Sequence, residues 1–450
     1  GDIRTTRDRP FRAQALKLSK SRLLIALFER GFRANEILLL LEVTAREASA
    51  SRGARFFSLF SKGGDEMLQT LFGRLPFVKT AAVSWRRVAA ATALTCCAAV
   101  GAAQAASDDK QLNIYNWSDY IAPTTLPNFE KETGIKVRYD TFDSNETLFA
   151  KLAAGNTGYD IVVPSAHWAA IEIKAGFFKP IDKSKIPNYK NLDPELMKLL
   201  ATMDPGNQYL IPWMWGYTTV GINVDKVQKA LDGMPMPENP WDLLFKPEYA
   251  SKLKSCGISL LDSGGDIMEA AFNYLNIPVD SHNPEDFRRA WEMVDKIRPY
   301  VTQLSSSGYI NDLAGGNLCL SFGWSGDIGI AANRAKEAKN GVNIKVFPPT
   351  HGGVLLVDTV AIPADAKHVD NAYKFLDYRL RPEVIAADTN TVFYANPVPA
   401  SLPYVDASIK SNDYVFLKPE LMRKLRPPKV YSNEERRLVT QYYTKFRTNR

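Results

Sequence analysis

The amino-acid sequence predicts an α/β protein in which a single continuous stretch of chain builds two lobes. Three observations support this fold class. Segments patterned like strands alternate with segments patterned like helices, no internal repeat is visible, and no Gly-, Ser- or Pro-rich linker interrupts residues 106–450. Because independent domains are usually joined by such linkers, the pattern favours two lobes that share the chain.

The first predicted elements are those of an α/β lobe. Ser165 stands just after the carboxyl end of a short apolar strand. In open α/β sheets, ligands bind at the carboxyl ends of the strands. In order, the pattern predicts a strand, a helix, a strand, a helix and a strand over residues 112–117, 123–133, 135–139, 146–154 and 160–163.

The rest of the chain continues the alternation. Strands are predicted at 210–215, at 218–223 and within 353–363, and helices at 224–231, 284–296, 331–338 and 368–380. The last of these helices ends before Pro382, a residue that disfavours helix immediately upstream.

Charge is distributed unevenly along the chain, although the total is +7. Residues 1–105 carry 17 Lys and Arg against 8 Asp and Glu, whereas residues 106–450 carry 39 against 41. Nucleic-acid binding requires a basic surface that neutralises phosphates. The slightly acidic main body therefore argues against a nucleic-acid partner.

Residues 67–105 are predicted to be a secretory signal peptide. Arg86 and Arg87 precede a small, apolar run, and residues 103–105 read Ala-Gln-Ala, which fits signal-peptidase cleavage after Ala105. The expected destination is the periplasm. Residues 1–66 contain no methionine and are interpreted as upstream over-translation or a disordered extension.

Four cysteines are present, and two of them fall within the predicted signal peptide. Cys256 and Cys319 remain. An even pair in an oxidising compartment predicts one disulfide, with two buried free thiols as the alternative.

Catalytic and metal-binding motifs are not found. The four histidines are scattered, and no H-E-x-x-H, C-x-x-C, G-x-G-x-x-G or P-loop pattern occurs, so no enzyme, cofactor or metal is predicted. Ser165 and His167 are the one local candidate pair for a periplasmic hydrolase. No third carboxylate that would orient the histidine is evident.

Acidic residues recur beside aromatic ones at predicted strand ends and turns. Residues 117–120 read Trp-Ser-Asp-Tyr, residues 323–327 read Gly-Trp-Ser-Gly-Asp, Asp358 interrupts an apolar strand and Tyr394 ends an apolar triplet. Carboxylates can pair with ammonium groups, and aromatic faces can cover methylenes. A receptor for a linear polyamine would need this combination, with carboxylates for the terminal ammonium groups and aromatic faces along the methylenes.

At these residues, and from about 112 to 445, the chain resembles the bacterial periplasmic putrescine/spermidine-binding proteins, the substrate-binding components of polyamine ABC transporters. The resemblance implies a two-lobe type II periplasmic-binding fold with a hinge and a cleft between the lobes. It also implies a membrane permease as partner, and Cys256 and Cys319 match a cysteine pair of putrescine receptors. The segments that carry it are 115–121, 159–165, 309–314, 323–327, 333–338 and 393–396.

The same resemblance implies a set of ligand-binding residues. Asp327 and Asp358 would be the principal ammonium anchors. The remaining residues of the implied site are Trp117, Ser118, Asp119, Tyr120, Ser165, Trp324 and Tyr394.

Two positions depart from the family pattern. Asp266 stands near the place of a longer glutamate, which makes its contact with a ligand doubtful, and Leu356 replaces an aromatic residue that helps to size the pocket. Both are kept as candidate site residues. Because Asp119 follows the first-strand serine, as in putrescine receptors, putrescine is favoured over spermidine.

Lobe one is expected to comprise residues 107–215 and 355–398, and lobe two residues 216–354 and 399–450. The protein is expected to act as a monomer. An alternative keeps the binding role but changes the ligand to another small organic cation, or makes the protein a sensor without a permease. A ligand with a carboxylate would require an arginine in the pocket, and none of the matched positions is Arg.

Overall fold

The computed structural model describes residues 110–448. The predicted signal peptide and the upstream segment lie outside the described residues. The described strands are β1 Gln111–Trp117, β2 Lys136–Phe142, β3 Ile161–Val162, β4 Phe178–Lys179, β5 Ile211–Asn223, β6 Ile258–Leu260, β7 Gln303–Leu304, β8 Leu320–Trp324, β9 Ile344–Val346, β10 Gly353–Val360, β11 Ile362–Pro363 and β12 Leu425–Arg426.

The helices of the described residues are α1 Thr125–Thr133, α2 Asn145–Ala154, α3 Ala166–Lys174, α4 Pro194–Leu200, α5 Val224–Leu231, α6 Asp242–Phe245, α7 Pro247–Leu253, α8 Gly264–Tyr274, α9 Pro284–Ile297, α10 Gly308–Ala314, α11 Ser325–Ala338, α12 Val369–Arg379, α13 Pro382–Val392, α14 Ala407–Lys410, α15 Pro419–Met422 and α16 Asn433–Thr448. None of them is long and apolar enough to cross a membrane.

The strands form two principal sheets. The smaller is parallel, with the order β2-β1-β3. The larger has the order β12-β10-β5-β8-β6-β7, and β9 also pairs with β5. A third, two-stranded sheet joins β11 to β4.

Strand β5 is longer than the sequence pattern indicated. Two strands were predicted, over 210–215 and 218–223, but one strand of 13 residues runs through both. Its first part pairs with β10 and its second part with β8, both antiparallel. Gly216 lies near the end of the part that pairs with β10, and a Cβ atom there would stand 2.8 Å from the ring of Tyr394. The absence of a side chain at Gly216 leaves room for the ring of Tyr394.

Helix α11 also differs from the prediction, which began it at residue 331. It begins at Ser325, directly after β8, so that Asp327 lies in its first turn. The first-turn position places a carboxylate near the positive end of the helix dipole. The glycines at 326 and 329 obscured the helical pattern, because glycine is a poor helix former.

The core is continuous through most of the described chain, and it includes the apolar residues of β1, β3, β5 and β8. Cys256 and Cys319 are bonded to each other, with their Cα atoms 5.5 Å apart. Because these residues precede the parallel strands β6 and β8, the bond fixes the starts of two paired strands. The predicted disulfide is confirmed.

Candidate functional site

A cavity with about 590 Å³ of empty space, part of it open to solvent, lies at the carboxyl ends of strands from both principal sheets. β1 supplies Trp117, the turn after β3 supplies Ser165, and the end of β8 supplies Trp324. The topology thus collects residues that are far apart in sequence, as expected for α/β sheets. Of the predicted site residues, Trp117, Ser118, Tyr120, Ser165, Asp266, Trp324, Asp327, Leu356, Asp358 and Tyr394 line this cavity.

Asp358 lies on β10, and each of its carboxylate oxygens accepts a hydrogen bond from a hydroxyl group. The hydroxyl of Ser165 donates to Oδ1 at 2.6 Å, and that of Tyr120 donates to Oδ2 at 2.7 Å. Ser165 also forms a β-bridge with Asp358, so the serine is held by backbone as well as by side chain. Asn145 donates to the hydroxyl of Ser165 at 3.1 Å and accepts from its backbone N–H.

Asp327 is held in the same way by two tyrosines. Tyr394 donates to Oδ1 at 2.7 Å, and Tyr309 donates to Oδ2 at 3.0 Å. The hydroxyl of Tyr309 also accepts a hydrogen bond from the backbone N–H of Trp324 at 3.2 Å, which links Asp327 through Tyr309 to the end of β8. Tyr309 lies in the segment 309–314, one of those that carry the family resemblance, but it was not among the predicted site residues.

Glycines make room for these tyrosines. A Cβ atom at Gly326 would lie 2.1 Å from the ring of Tyr394, and one at Gly323 would lie 2.5 Å from the hydroxyl of Tyr309. Real Cβ atoms do not approach other atoms so closely. The glycines of the segment Gly-Trp-Ser-Gly-Asp are therefore needed to bring the two phenols onto Asp327.

The cavity is short of positive charge. Burial raises the pKa of Asp327 to about 7 and that of Asp358 to about 6, against the lowering effect of their hydroxyl donors. Burial also raises the pKa of Asp266. No ion pair joins any of the three to a basic side chain among the residues described. A bound cation would stabilise the ionised form of all three.

Aromatic rings line the space between these carboxyl groups. Trp117 and Trp324 meet edge to face with centroids 5.7 Å apart, and Tyr120 and Tyr394 do so at 4.9 Å. The indole N–H of Trp117 donates to the Val163 carbonyl at 2.8 Å, which fixes the ring. Such faces attract cations and pack against methylene groups.

Asp119 is the one predicted site residue that does not line the cavity. Its backbone is left-handed, with φ of 54°, and its carboxylate lies 2.6 Å from a guanidinium nitrogen of Arg334 on α11. The side chain is exposed. The sequence could not reveal this because the partner lies 215 residues away.

The hydrolase hypothesis gains no geometric support. Ser165 is the residue directly before α3 and His167 belongs to the first turn of that helix, so the two do not lie on one strand. The hydroxyl of Ser165 donates to Asp358 and not to His167. His167 Nδ1 has no hydrogen-bond partner, and burial lowers the pKa of the ring to about 4.

A second cavity, with about 680 Å³ of empty space, adjoins the first and shares Trp117, Asp266 and Trp324 with it. Its wall adds further acidic groups from α2 and α8, namely Glu146 and Glu269. In the part of the chain that is described, no cluster of His, Cys, Asp and Glu could hold a metal ion.

Comparison with known proteins gives one family. Residues 125–415 match the family described as bacterial extracellular solute-binding protein. The chain is 48% identical over 353 residues to the putrescine-binding periplasmic protein PotF of Escherichia coli K12, covering 78% of this chain and 95% of that protein. It is 47% identical over 358 residues to the putrescine-binding periplasmic protein SpuD of Pseudomonas aeruginosa UCBPP-PA14, covering 80% and 97%.

The solved structure of a putative spermidine/putrescine ABC transporter from Listeria monocytogenes superposes with a TM-score of 0.67 at 29% identity, covering 76% of this chain and all of that one. The predicted type II periplasmic-binding fold is thereby confirmed. The names of the similar proteins describe solute binding and transport rather than catalysis, in agreement with the prediction of a non-enzyme. The chain belongs to the bacterial extracellular solute-binding proteins.

Proposed function

We propose that this protein captures a polyamine, with putrescine favoured, and delivers it to an ABC importer. The observation that carries the proposal is the pair of carboxylates, Asp327 and Asp358. Each accepts a hydrogen bond from a hydroxyl on both of its oxygens, and neither forms an ion pair with a basic residue within residues 110–448. The names of relatives at 48% and 47% identity, which describe putrescine binding, support the same ligand class.

The chemistry of a linear diamine matches this arrangement. Each terminal ammonium has three N–H donors and needs acceptors with negative charge, whereas the methylenes between them need apolar contact. Asp327 and Asp358 would take the ammonium groups, and Trp117, Trp324 and Tyr120 would cover the methylenes. At an effective dielectric near 20, one ammonium–carboxylate contact at about 4 Å contributes roughly 4 kcal/mol before desolvation. Two such contacts and apolar packing suffice for micromolar affinity, about −8 kcal/mol.

Putrescine is expected to bind as well as or better than spermidine. Asp327 and Asp358 line the same cavity, and the negative charge of Asp358 contributes to the raised pKa of Asp327. We therefore expect one short diamine to contact both carboxylates. A third ammonium would have to reach Asp266, whose carboxylate is one methylene shorter than a glutamate and lies in the lining of the same cavity. Asp119 does not contribute to this preference, because Arg334 occupies its carboxylate.

An amino-acid-like ligand fits less well. A ligand carboxylate would need a cationic partner, and the described lining of the inner cavity contains no arginine or lysine. The four acidic residues of the lining, Asp143, Asp266, Asp327 and Asp358, would repel it.

Export, assembly and delivery belong to the same proposal. The chain would be cleaved after Ala105, act in the periplasm as a monomer, and present its closed form to an inner-membrane permease. The periplasmic names of the relatives support this location. An intact mass that begins at Ala106 in a periplasmic fraction tests the cleavage, and light scattering coupled to gel filtration tests the monomer.

The binding proposal is tested by calorimetric titration of the protein, freed of ligand by unfolding and refolding, with putrescine, spermidine and arginine. Putrescine should bind at micromolar or lower Kd, and arginine should not. A spermidine affinity more than tenfold above that for putrescine would overturn the preference but leave the polyamine class. Absence of binding to both amines would overturn the proposal itself.

A further inference from the structure

A second layer of buried charge lies behind the cavity. Arg379 at the end of α12 is 2% exposed and Asp388 on α13 is fully buried, and their nearest side-chain N and O atoms are 3.3 Å apart. Burial raises the pKa of Asp388 and lowers that of Arg379 to about 10, in each case against the effect of the partner's charge. A buried ion pair is often no more stable than an apolar replacement. Its presence therefore calls for another role.

The pair holds the chain at Tyr120 and at the residues that directly follow it. The Arg379 guanidinium stacks on the ring of Trp213, 3.4 Å from its centroid, and donates to the Trp213 carbonyl at 3.0 Å. The indole N–H of Trp213 in turn donates to the carbonyl of Tyr120 at 3.3 Å. One contact chain thus runs from the arginine to the backbone of Tyr120.

Asp388 holds the other side of the same turn. Its Oδ1 accepts the backbone N–H of Ala122 at 3.0 Å and the hydroxyl of Thr125 at 2.7 Å. Residues 120–122 are therefore fixed at a carbonyl by Trp213 and at an N–H by Asp388. These two hydrogen bonds restrict the backbone conformation of residues 120–122. The restricted backbone in turn sets the direction in which the Tyr120 side chain points.

Tyr120 connects this turn to both ammonium anchors. Its hydroxyl donates to Asp358, and its ring packs edge to face on Tyr394, whose hydroxyl donates to Asp327. We propose that the Arg379–Asp388 pair positions Tyr120 and thereby sets the affinity of the site for its cationic ligand. The ligand itself rests on the proposed function, whereas the positioning of Tyr120 does not.

The least disruptive test removes one hydrogen bond to Asp388, the one donated by the hydroxyl of Thr125. Thr125→Val takes the hydroxyl from Asp388, and Thr125→Ser keeps it as the matched control. The putrescine Kd measured by calorimetry should rise about 5- to 10-fold in Thr125→Val and less than twofold in Thr125→Ser. Asp388→Asn should have a larger effect of the same kind, and it is used only if a thermal melt shows that it folds.

A double-mutant cycle separates positioning from a general structural role. In a Tyr120→Phe background, which already lacks the bond to Asp358, Thr125→Val should cost less than twofold further in Kd. Equal costs in the two backgrounds would overturn the inference. A lower melting temperature with unchanged Kd would overturn it as well.

A readout without ligand keeps the inference independent of the proposed function. The pKa of Asp358, followed by its carboxyl ¹³C shift in the free protein, should rise in Thr125→Val because a weaker bond from Tyr120 stabilises the ionised form less. It should stay unchanged in Thr125→Ser. An unchanged value in both variants would overturn the inference even if wild-type protein binds putrescine, and absence of wild-type binding would overturn the proposed function alone.

Discussion

Two regions of the molecule bury carboxyl groups in opposite ways. In the cavity, Asp327 and Asp358 each accept two hydroxyl donors. In helix α3, Glu172 is fully buried and neither of its oxygens has a hydrogen-bond partner. Burial alone raises the pKa of Glu172 to about 8, which keeps the group neutral at pH 7.

The comparison shows that burial by itself does not give a carboxyl group that can ionise and pair with a cation. The hydroxyl donors of the cavity offset part of the desolvation cost, so the pKa values there stay near 7 and 6. Those carboxyl groups can ionise when a cation arrives. Glu172 has no donor and no access to ligand, so its proton is retained.

The largest expected effect is on ligand affinity. Asp327→Asn and Asp358→Asn should each weaken putrescine binding by about 2 to 4 kcal/mol, which is roughly 30- to 1000-fold in Kd, because a buried ammonium loses its charge partner. Glu172→Gln should leave Kd within twofold, and so should Glu238→Gln on the surface. Calorimetry decides, and a loss below tenfold in both aspartate variants would place the anchors elsewhere.

The second effect concerns stability and comes from Glu172. Its folded pKa of about 8 exceeds the unfolded value of 4.5, so its contribution is fully present below pH 4.5 and is lost as the pH rises to about 8. At about 1.36 kcal/mol per pKa unit, Glu172→Gln should be more stable than wild type by roughly 3 kcal/mol at pH 7 and nearly equal to it at pH 4. Urea unfolding at both pH values measures this, and a pH-independent difference would contradict it.

A smaller effect is the pH dependence of binding. The cavity carboxyl groups must lose their protons to pair with ammonium, so affinity should rise with pH, by about 20-fold between pH 6 and pH 8 for pKa values near 7 and 6. In Asp327→Asn the rise should fall to about twofold. Titrations in buffers of different ionisation enthalpy should also detect proton release at pH 6. An affinity that is flat across this range would show that both aspartates are already ionised in the free protein.

The smallest expected effect concerns Leu356, an apolar neighbour of Asp358 on β10. Leu356→Phe should shift the preference towards putrescine over spermidine by about 1 kcal/mol, the size of one aromatic or cation–π contact, because the ring narrows the cavity. Leu356→Met, which keeps the volume, serves as control. A shift towards spermidine would contradict this reading of the pocket size.

Much of the site could be predicted from the sequence because its residues follow strand ends. Trp117, Ser165 and Trp324 each stand where an alternating or apolar run stops. Trp117 ends a strand of the smaller sheet, Ser165 follows another and Trp324 ends a strand of the larger sheet, and the carboxyl ends of these strands meet at the cavity. The acidic residues beside them indicated a cationic ligand. The disulfide followed from an even pair of cysteines outside the predicted signal peptide.

The sequence by itself thus determined the α/β class, the chemistry of the site and the cysteine pair, since these depend on local patterning and residue type. The tertiary structure alone decided which hydroxyl meets which carboxylate. Asp119 forms an ion pair with Arg334, Tyr309 donates a hydrogen bond to Asp327, and Arg379 forms an ion pair with Asp388. Tyr120 and Asp358 are separated by 238 positions, and such pairings leave no periodic trace in the chain because they depend on how sheets and helices pack.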